Sequence, residues 1–393
     1  MKPTSTIVFT GDIGFDRYMD GKWNDEQLLA DDILDFFSDA DHVVANVEGP
    51  VIKAPKNDVD SGVKQLIHTI DPDAAVVLDK IGADVWNVCN NHIMDAGPDG
   101  LAGTLREAAK HDALTIGAGM DIDAARQPVI IDEAGGIGMF GVGYQRACRK
   151  ADVDKAGCYS WSDLDAIRDT IAAIKKKCRW CVVVAHAGEE FTSLPMPYTR
   201  ERYRLYLDMG ADIVVAHHPH VPMNYETVGD KAIFYSLGNF IFDTDYQRSQ
   251  YNTDIGVLLK IRFTETDYSF EPCGLRIVRG DEHIVKDELP RIFVDVPENE
   301  YELLAPLSAK MMIAATKRQQ RYLFPKEYSK DTTEEEWQEN FSRPLRSGRV
   351  PGETLDYAII CPLAERESEK AWQRSSLDGV KAYILEQIPD LPE

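Results

Sequence analysis

Five short apolar runs in this chain each end in side chains able to bind a metal ion. That repetition constrains the fold more than any other feature. Ile7-Val8-Phe9-Thr10-Gly11 leads to Asp12, and Val43-Val44-Ala45-Asn46-Val47 leads to Glu48. Val85-Trp86-Asn87-Val88-Cys89 leads to Asn90-Asn91-His92. Val182-Val183-Val184-Ala185 leads to His186, and Ile213-Val214-Val215-Ala216 leads to His217-His218-Pro219-His220. Runs this short and this rich in β-branched residues read as buried strands. Strands whose ends share one class of polar group suggest a single site at the ends of a sheet.

The intervening segments have helical spacing over 25–37, from Asp71-Pro72 to about Ile81, over 97–110, over 161–177 after a Ser160 or Ser162 cap, and from about Thr199 to Met209. Further strands are expected at 114–117, 232–236, 255–263 and 274–279, with a hairpin joining 128–131 to 137–142 across Gly135-Gly136. An opening β-α-β-α-β order predicts a layered α/β fold with a mixed sheet or two sheets. Composition changes near residue 290, and helices are expected over 300–320, 333–341 and 364–387. The expected organisation is one domain over 1–290 and a mostly helical extension over 291–393. Trp337 and Phe341, four apart, would pack the extension on the main domain. That extension is a candidate lid, partner surface or homo-oligomer interface.

A net charge of −23 argues against a nucleic-acid backbone or an anionic membrane as partner. It leaves anionic substrates open, because a bound cation inverts the local field. The cysteines at 89, 148, 158, 178, 181, 273 and 361 are odd in number and scattered, unlike a disulfide framework. Cys178 and Cys181 have no second pair at zinc-site spacing. No apolar signal core follows Met1 and no apolar run reaches membrane-spanning length, so the expected location is the cytoplasm.

Asp12, Glu48, Asn91, His186, His218 and His220 offer carboxylate, amide and imidazole donors. That mixture suits Mn, Zn, Fe, Mg or Ca rather than a thiolate-bound metal. A carboxylate bridging two ions is the two-metal arrangement. His92, directly after Asn91, is a candidate general acid or base. Taken singly, these residues have ordinary readings. Asp12 after Gly11 could be a turn former or a cap, and Asn90-Asn91 a turn. His217 is expected to point away from its neighbours. His42, His68, His111 and His283 have no site context.

Six segments together resemble the CapA-type capsule and poly-γ-glutamate synthesis proteins. They are Phe9–Asp12, Ala45–Pro50, Cys89–Gly97, His186–Glu190, Gly210–His220 and Phe234–Asp243. The Tyr235-Ser236-Leu237-Gly238-Asn239-Phe240 and His217-His218-Pro219-His220 blocks carry most of the likeness. The resemblance covers about residues 6–263. It implies a calcineurin-like metallophosphoesterase fold, a four-layer α-β-β-α sandwich, followed here by a C-terminal helical extension.

The resemblance also implies roles. Asp12 would bind the first ion, Glu48 would bridge, Asn91 and His186 would bind the second ion, and His218 and His220 would complete the two spheres. His92 would be the catalytic histidine near the leaving group. Asp95 and Glu190 fall on motif positions suited to assisting catalysis, and Asn239 and Asp243 on positions suited to supporting the ligands or touching substrate. The usual Asp-x-His start is missing its histidine, because Gly14 stands there; Asp16 is the candidate replacement or substrate contact. A mononuclear site and a dinuclear site both remain open.

Three functions fit this reading. One is a metal-dependent hydrolase of a phosphoester or of a γ-glutamyl or peptide amide. Another is a metal-dependent peptide epimerase in which His92 and Glu190 exchange an α-proton. The third is a non-catalytic polyglutamate or capsule assembly factor.

Overall fold

A computed structural model of the chain describes residues 4–53, 67–144, 148–323 and 377–388, with isolated positions between 325 and 336. The first sheet contains β1 (Thr4–Ile13), β2 (His42–Val47), β3 (Ala83–Asn87) and β4 (Leu114–Ile116). It continues through β13 (Asn239–Ile241), β14 (Ile255–Thr264), β15 (Tyr268–Val278) and β16 (His283–Lys286), in the order β16-β15-β14-β1-β2-β3-β4, with β13 also paired to β1. The second sheet holds β6 (Val129–Ile131), β7 (Ile137–Gly143), β9 (Trp180–His186), β10 (Ile213–His217), β11 (Tyr225–Val228) and β12 (Lys231–Phe234), in the order β11-β12-β10-β9-β7-β6. A small pair, β5 (Ala118–Gly119) and β8 (Gly157–Cys158), stands apart.

Side-chain alternation along the strands builds the layers. Ile7 and Phe9 of β1, Val44 of β2 and Val85 of β3 face inward, against Val182 and Val184 of β9 and Ile213 and Val215 of β10. The intervening Val8, Val43, Ala45 and Trp86 face outward. There they meet α1 (Asp31–Phe37), α2 (Ala75–Lys80) and α3 (Gly97–Lys110) through Ile33, Phe37, Leu78 and Leu101. On the far side Val183, Ala185, Val214 and Ala216 meet α5 (Leu164–Lys175) and α6 (Pro197–Asp208) through Ile167, Ile171, Tyr203 and Tyr206. The result is the expected four-layer α-β-β-α sandwich. Two one-turn helices, α4 (Ile122–Ala125) and α7 (Asp245–Arg248), lie in connections.

Local details differ from expectation. The helix predicted over 25–37 begins only at Asp31, after a 3-10 turn at Lys22–Asn24. Its apolar residues Leu28 and Leu29 are buried from a loop, bridged instead to Ile284 of β16. The residue before α5 is Asp163, which makes no side-chain cap, so neither Ser160 nor Ser162 caps that helix. Strands β11 and β16 carried no clear alternation and were not expected. Beyond β16, α8 (Glu298–Leu323) packs Leu304, Leu307 and Met311 on Val380, Tyr383 and Ile384 of α9 (Asp378–Gln387), and on Leu194 and Ile255 of the sandwich. The helix predicted over 333–341, with Trp337 and Phe341, lies outside the described residues apart from isolated positions. Among the described residues no helix is long and apolar enough to cross a membrane.

Candidate metal centre

The strands β1, β2 and β3 run parallel, as do β7, β9, β10 and β12, so the C-terminal ends of each set share an edge. Those edges meet. Asp12 at the end of β1, Glu48 just past β2, His186 at the end of β9, and His218 and His220 just past β10 are all buried together. Ligand atoms of Glu48, His186 and His218 form one group lying within 4.8 Å of one another, and those of Asp12, Glu48 and His220 form a second. Glu48 belongs to both. Asn91 joins the first group, its Oδ1 lying 2.8 Å from His186 Nε2.

The chemistry of this cluster fits a divalent cation. Both carboxylate oxygens of Glu48 and His218 Nδ1 are buried without a hydrogen-bond partner, and Asp12 Oδ2 faces His220 Nδ1 at 3.2 Å without an aligned hydrogen bond. Buried polar atoms are nearly always paired, so several orphans converging on one point mark a place for a cation. His220 Nε2 lies 3.5 Å and His186 Nε2 lies 3.7 Å from Glu48 Oε1. His220 Nδ1 lies 3.0 Å from Asn239 Oδ1. Asn239 in turn donates its amide hydrogens to Thr253 O at 2.9 Å and Gln247 Oε1 at 3.2 Å. That orients its oxygen toward His220 and leaves the imidazole Nε2 facing Glu48, the way outer partners aim a ligating histidine. Asn239 is thus placed behind His220.

Electrostatics follow from burial. It drives the His186 imidazole well below its ordinary range and His218 down to about 4, which leaves both neutral with lone pairs to offer. Burial also pushes the Glu48 carboxyl well above its usual value, with His220 pulling it back. His220 resists burial because the Glu48 and Asp12 carboxylates hold its proton, up to about 10. The Asp12–Glu48–His220 group therefore keeps a proton that a cation would displace.

Two amides absent from the expected list support the centre. Asn46 donates through Nδ2 to Asp12 Oδ1 at 2.8 Å, and Asn87 donates through Nδ2 to Asn46 Oδ1 at 2.7 Å. Both lie at the ends of their strands on the site side. The backbone around the histidines is unusual as well, with φ of +98° at His218 and +59° at His220. Non-glycine residues rarely adopt such values, and they cluster at functional sites. His217 turns away, as expected, with Nε2 2.9 Å from Thr10 O.

Gly14 shows why the Asp-x-His histidine is missing. A Cβ there would stand 2.5 Å from the Phe242 ring, so that ring fills the space a side chain would need. Gly11 is constrained similarly, because β13 passes so close that a Cβ would meet Gly238 O at 2.3 Å. Asp16 does not enter the metal cluster. Its Oδ2 pairs with His68 Nδ1.

His92 Nδ1 lies 2.7 Å from Asp95 Oδ2, which also accepts the His68 backbone N–H at 2.9 Å. Burial holds the His92 imidazole well below its usual range and raises the Asp95 carboxyl to about 6. His68 was expected to be ordinary. Instead its ring stands edge-on to His92, with centroids 4.1 Å apart. Glu190 lies on another side of the cluster. It accepts from Gln319 Nε2 of α8 at 3.0 Å and from the Tyr246 hydroxyl at 3.3 Å. Phe191 beside it stacks on His220 at 5.9 Å. Asp243 is held elsewhere, between Arg248 Nε at 2.8 Å and Arg279 Nη2 at 3.2 Å, so both of its oxygens are engaged.

The family model described as "Bacterial capsule synthesis protein PGA_cap" matches residues 6–244. The PGA biosynthesis protein CapA of Bacillus subtilis (strain 168) is 32% identical over 248 residues, covering 62% of this chain and 64% of that protein. The capsule biosynthesis protein CapA of Bacillus anthracis is 27% identical over 255 residues, covering 62% of this chain and 61% of that protein. The similarity therefore spans less than two thirds of either relative. A crystal structure of a hypothetical protein from Thermus thermophilus aligns with 72% of this chain and all of that one, at 12% identity and a TM-score of 0.42, too loose a likeness to carry an argument. The family match runs from β1 through the Phe234–Asp243 block and takes in every residue of the two buried groups, and on that ground the chain belongs to the PGA_cap family of bacterial capsule synthesis proteins.

Proposed function

We propose that this chain is a metal-dependent hydrolase acting on a phosphoester or on a γ-glutamyl or peptide amide. The observation that carries the reading is the set of carboxylate oxygens on Asp12 and Glu48 that lack hydrogen-bond partners, faced by the imidazoles of His186, His218 and His220 in two groups that share Glu48. Asp12, Glu48 and His220 would hold one ion, and Glu48, Asn91, His186 and His218 a second. Mn, Zn, Fe, Mg and Ca are all compatible with these donors. Such an ion supplies Lewis-acid polarisation and charge neutralisation at the reacting centre.

The protein's own residues supply the rest. Asn239 and Asn46 hold His220 and Asp12 in orientation. Asp95 holds Nδ1 of His92 and leaves Nε2 open. A neutral imidazole so held takes the proton given up by the attacking water and passes it on. The name of the Bacillus subtilis relative, a PGA biosynthesis protein, makes a polyglutamate-type amide the first substrate to try.

Peptide epimerisation is the second reading, favoured by the Glu190 carboxylate facing the same cluster as His92. The test is metal content by mass spectrometry, followed by assays of Mn- and Zn-loaded wild type and His218→Ala on p-nitrophenyl phosphate, γ-glutamyl-p-nitroanilide and polyglutamate. Metal-dependent release of product that is lost in the variant supports hydrolysis. Deuterium entering a peptide without cleavage would instead select epimerisation, and a chain that takes up no metal would refute both.

A further inference from the structure

The pairing of His68 with Asp16 has no place in the reading above, yet it repeats the pairing of His92 with Asp95. Each imidazole presents Nδ1 to a carboxylate. Each Nε2 therefore points away from its carboxylate. Among the described residues neither Nε2 has a hydrogen-bond partner, and neither is among the fully covered atoms left without one. The side chains are mostly covered, 11% exposed for His68 and 12% for His92.

The two pairs are linked into one unit. Asp95 accepts both the His92 ring and the His68 backbone N–H. The Phe242 ring lies 5.2 Å from His68 on one side and 4.9 Å from His220 on another, so His68 is one ring away from the metal cluster. A carboxylate behind an imidazole orients it and stabilises its protonated form, which is how histidine is prepared for proton transfer. Asp16 is itself 22% exposed, so the pair is only partly drawn out of water.

We propose that His68, with Asp16 behind it, is a second proton-transfer residue of this site, giving its Nε2 hydrogen to the departing atom while His92 takes the hydrogen of the attacking water. The assignment rests on the hydrolase reading and deepens it. Water's oxygen bonds to phosphorus or to the carbonyl carbon, and its hydrogen goes to His92. The P–O or C–N bond breaks with its electron pair on the departing oxygen or nitrogen. That atom takes the His68 hydrogen. The hydrogen given up at His68 Nε2 and the one taken up at His92 Nε2 balance, and exchange with solvent restores both.

Leaving-group dependence tests this directly. A departing p-nitrophenolate needs no proton, whereas an alkoxide or alkylamine does. Zn-loaded wild type, His68→Gln and Asp16→Asn are assayed on p-nitrophenyl phosphate against methyl phosphate, and on γ-glutamyl-p-nitroanilide against γ-glutamyl methylamide. His68→Gln is expected to lose about 100-fold in kcat with the basic leaving group, the size of one general-acid contribution, and only a few-fold with nitrophenolate or nitroanilide. Asp16→Asn is expected to follow the same pattern more weakly. Zinc content should not change. Equal losses on both members of a pair would make His68 merely structural and overturn the proposal.

If wild type turns over none of the four compounds, the hydrolase reading has failed on its own. The His68 assignment is then judged by diethyl pyrocarbonate modification mapped by mass spectrometry. Reaction at both His68 and His92, with the His68 rate altered by Asp16→Asn, supports two open nitrogens. A His68 that does not react has no open Nε2, and the proposal falls.

Discussion

Replacing Glu48 by glutamine is expected to stabilise the metal-free protein and to remove its response to divalent cations. Both Glu48 oxygens are buried and unpaired. An unsatisfied buried polar atom costs about 1–3 kcal/mol. The amide keeps the shape, cannot ionise, and brings two N–H donors within reach of the Asp12 carboxylate and the surrounding imidazoles. A gain of about 1–3 kcal/mol is expected once metal is removed. The sign depends on pH. Burial raises the Glu48 carboxyl in the folded state above its unfolded value of 4.5. The folded chain then holds a proton that the unfolded chain releases, so wild type loses stability as pH rises above 4.5 toward the folded value. The advantage of the variant should therefore be small in acid and grow toward neutrality.

Cations act in the opposite direction. A cation bound only by the folded state adds about 4 kcal/mol at a thousand-fold excess over its Kd. Wild type should show that increase, and Glu48→Gln should lose most of it, because both groups are short of their shared ligand. The assay is urea unfolding after exhaustive chelation, with and without Mn or Zn, repeated between pH 5 and 8. A metal-free variant less stable than metal-free wild type, or one that keeps the full response to cation, would refute the reasoning.

Asn46→Ala orphans Asp12 Oδ1 and Asn87 Nδ2, so it is expected to destabilise by about 2–5 kcal/mol and to weaken metal affinity about 10–100-fold, read by urea unfolding and by chelator competition. Gly14→Ala forces a methyl group against Phe242, and about 1–3 kcal/mol should be lost in the same unfolding experiment. His42 is raised above 6.5 by its hydrogen bond to Asp84, against half-burial. Its contribution is therefore complete below 6.5 and lost as pH rises through the folded value. The stability gap between wild type and His42→Gln should narrow from pH 5 to pH 9.

The sandwich was legible because inward and outward residues alternate along β1, β2 and β3, and because β9 and β10 are apolar on both faces. The two buried groups were legible for the same reason, since each of their members sits at or just past the end of such a run. His68 was not. It follows a polar, Pro- and Gly-containing stretch with no apolar run before it, and only the Asp95 hydrogen bond and Asp16 bring it to His92. Asn46 and Asn87 were hidden differently. They lie within runs already assigned to strands, where an amide interrupting β-branched residues was the available signal. Asp243 looked like a site residue by its place in the Phe234–Asp243 block, but the two arginines that engage it, Arg248 and Arg279, could not be assigned to it from spacing alone. Leu28 and Leu29 gave a helical period that β16, far along the chain, used in another way.

The seam between α8 and the centre has a consequence for the order of events at the ribosome. Gln319 reaches Glu190, and Ala315 and Tyr322 pack with Phe191 and Tyr246, so the last third of α8 closes one wall of the site. All the clustered ligands precede it, and the last of them, His220, is made about 80 residues before Glu298. The last strand of the sandwich ends at Lys286, about 30 residues before Ala315, so at synthesis rates of about 5–20 residues per second the complete sandwich has roughly 1.5–6 seconds to fold with that wall missing. Cation can enter during that interval by a wider route than the finished protein offers. Metal supplied during translation and metal supplied to purified protein should therefore load at different rates, even where they reach the same equilibrium.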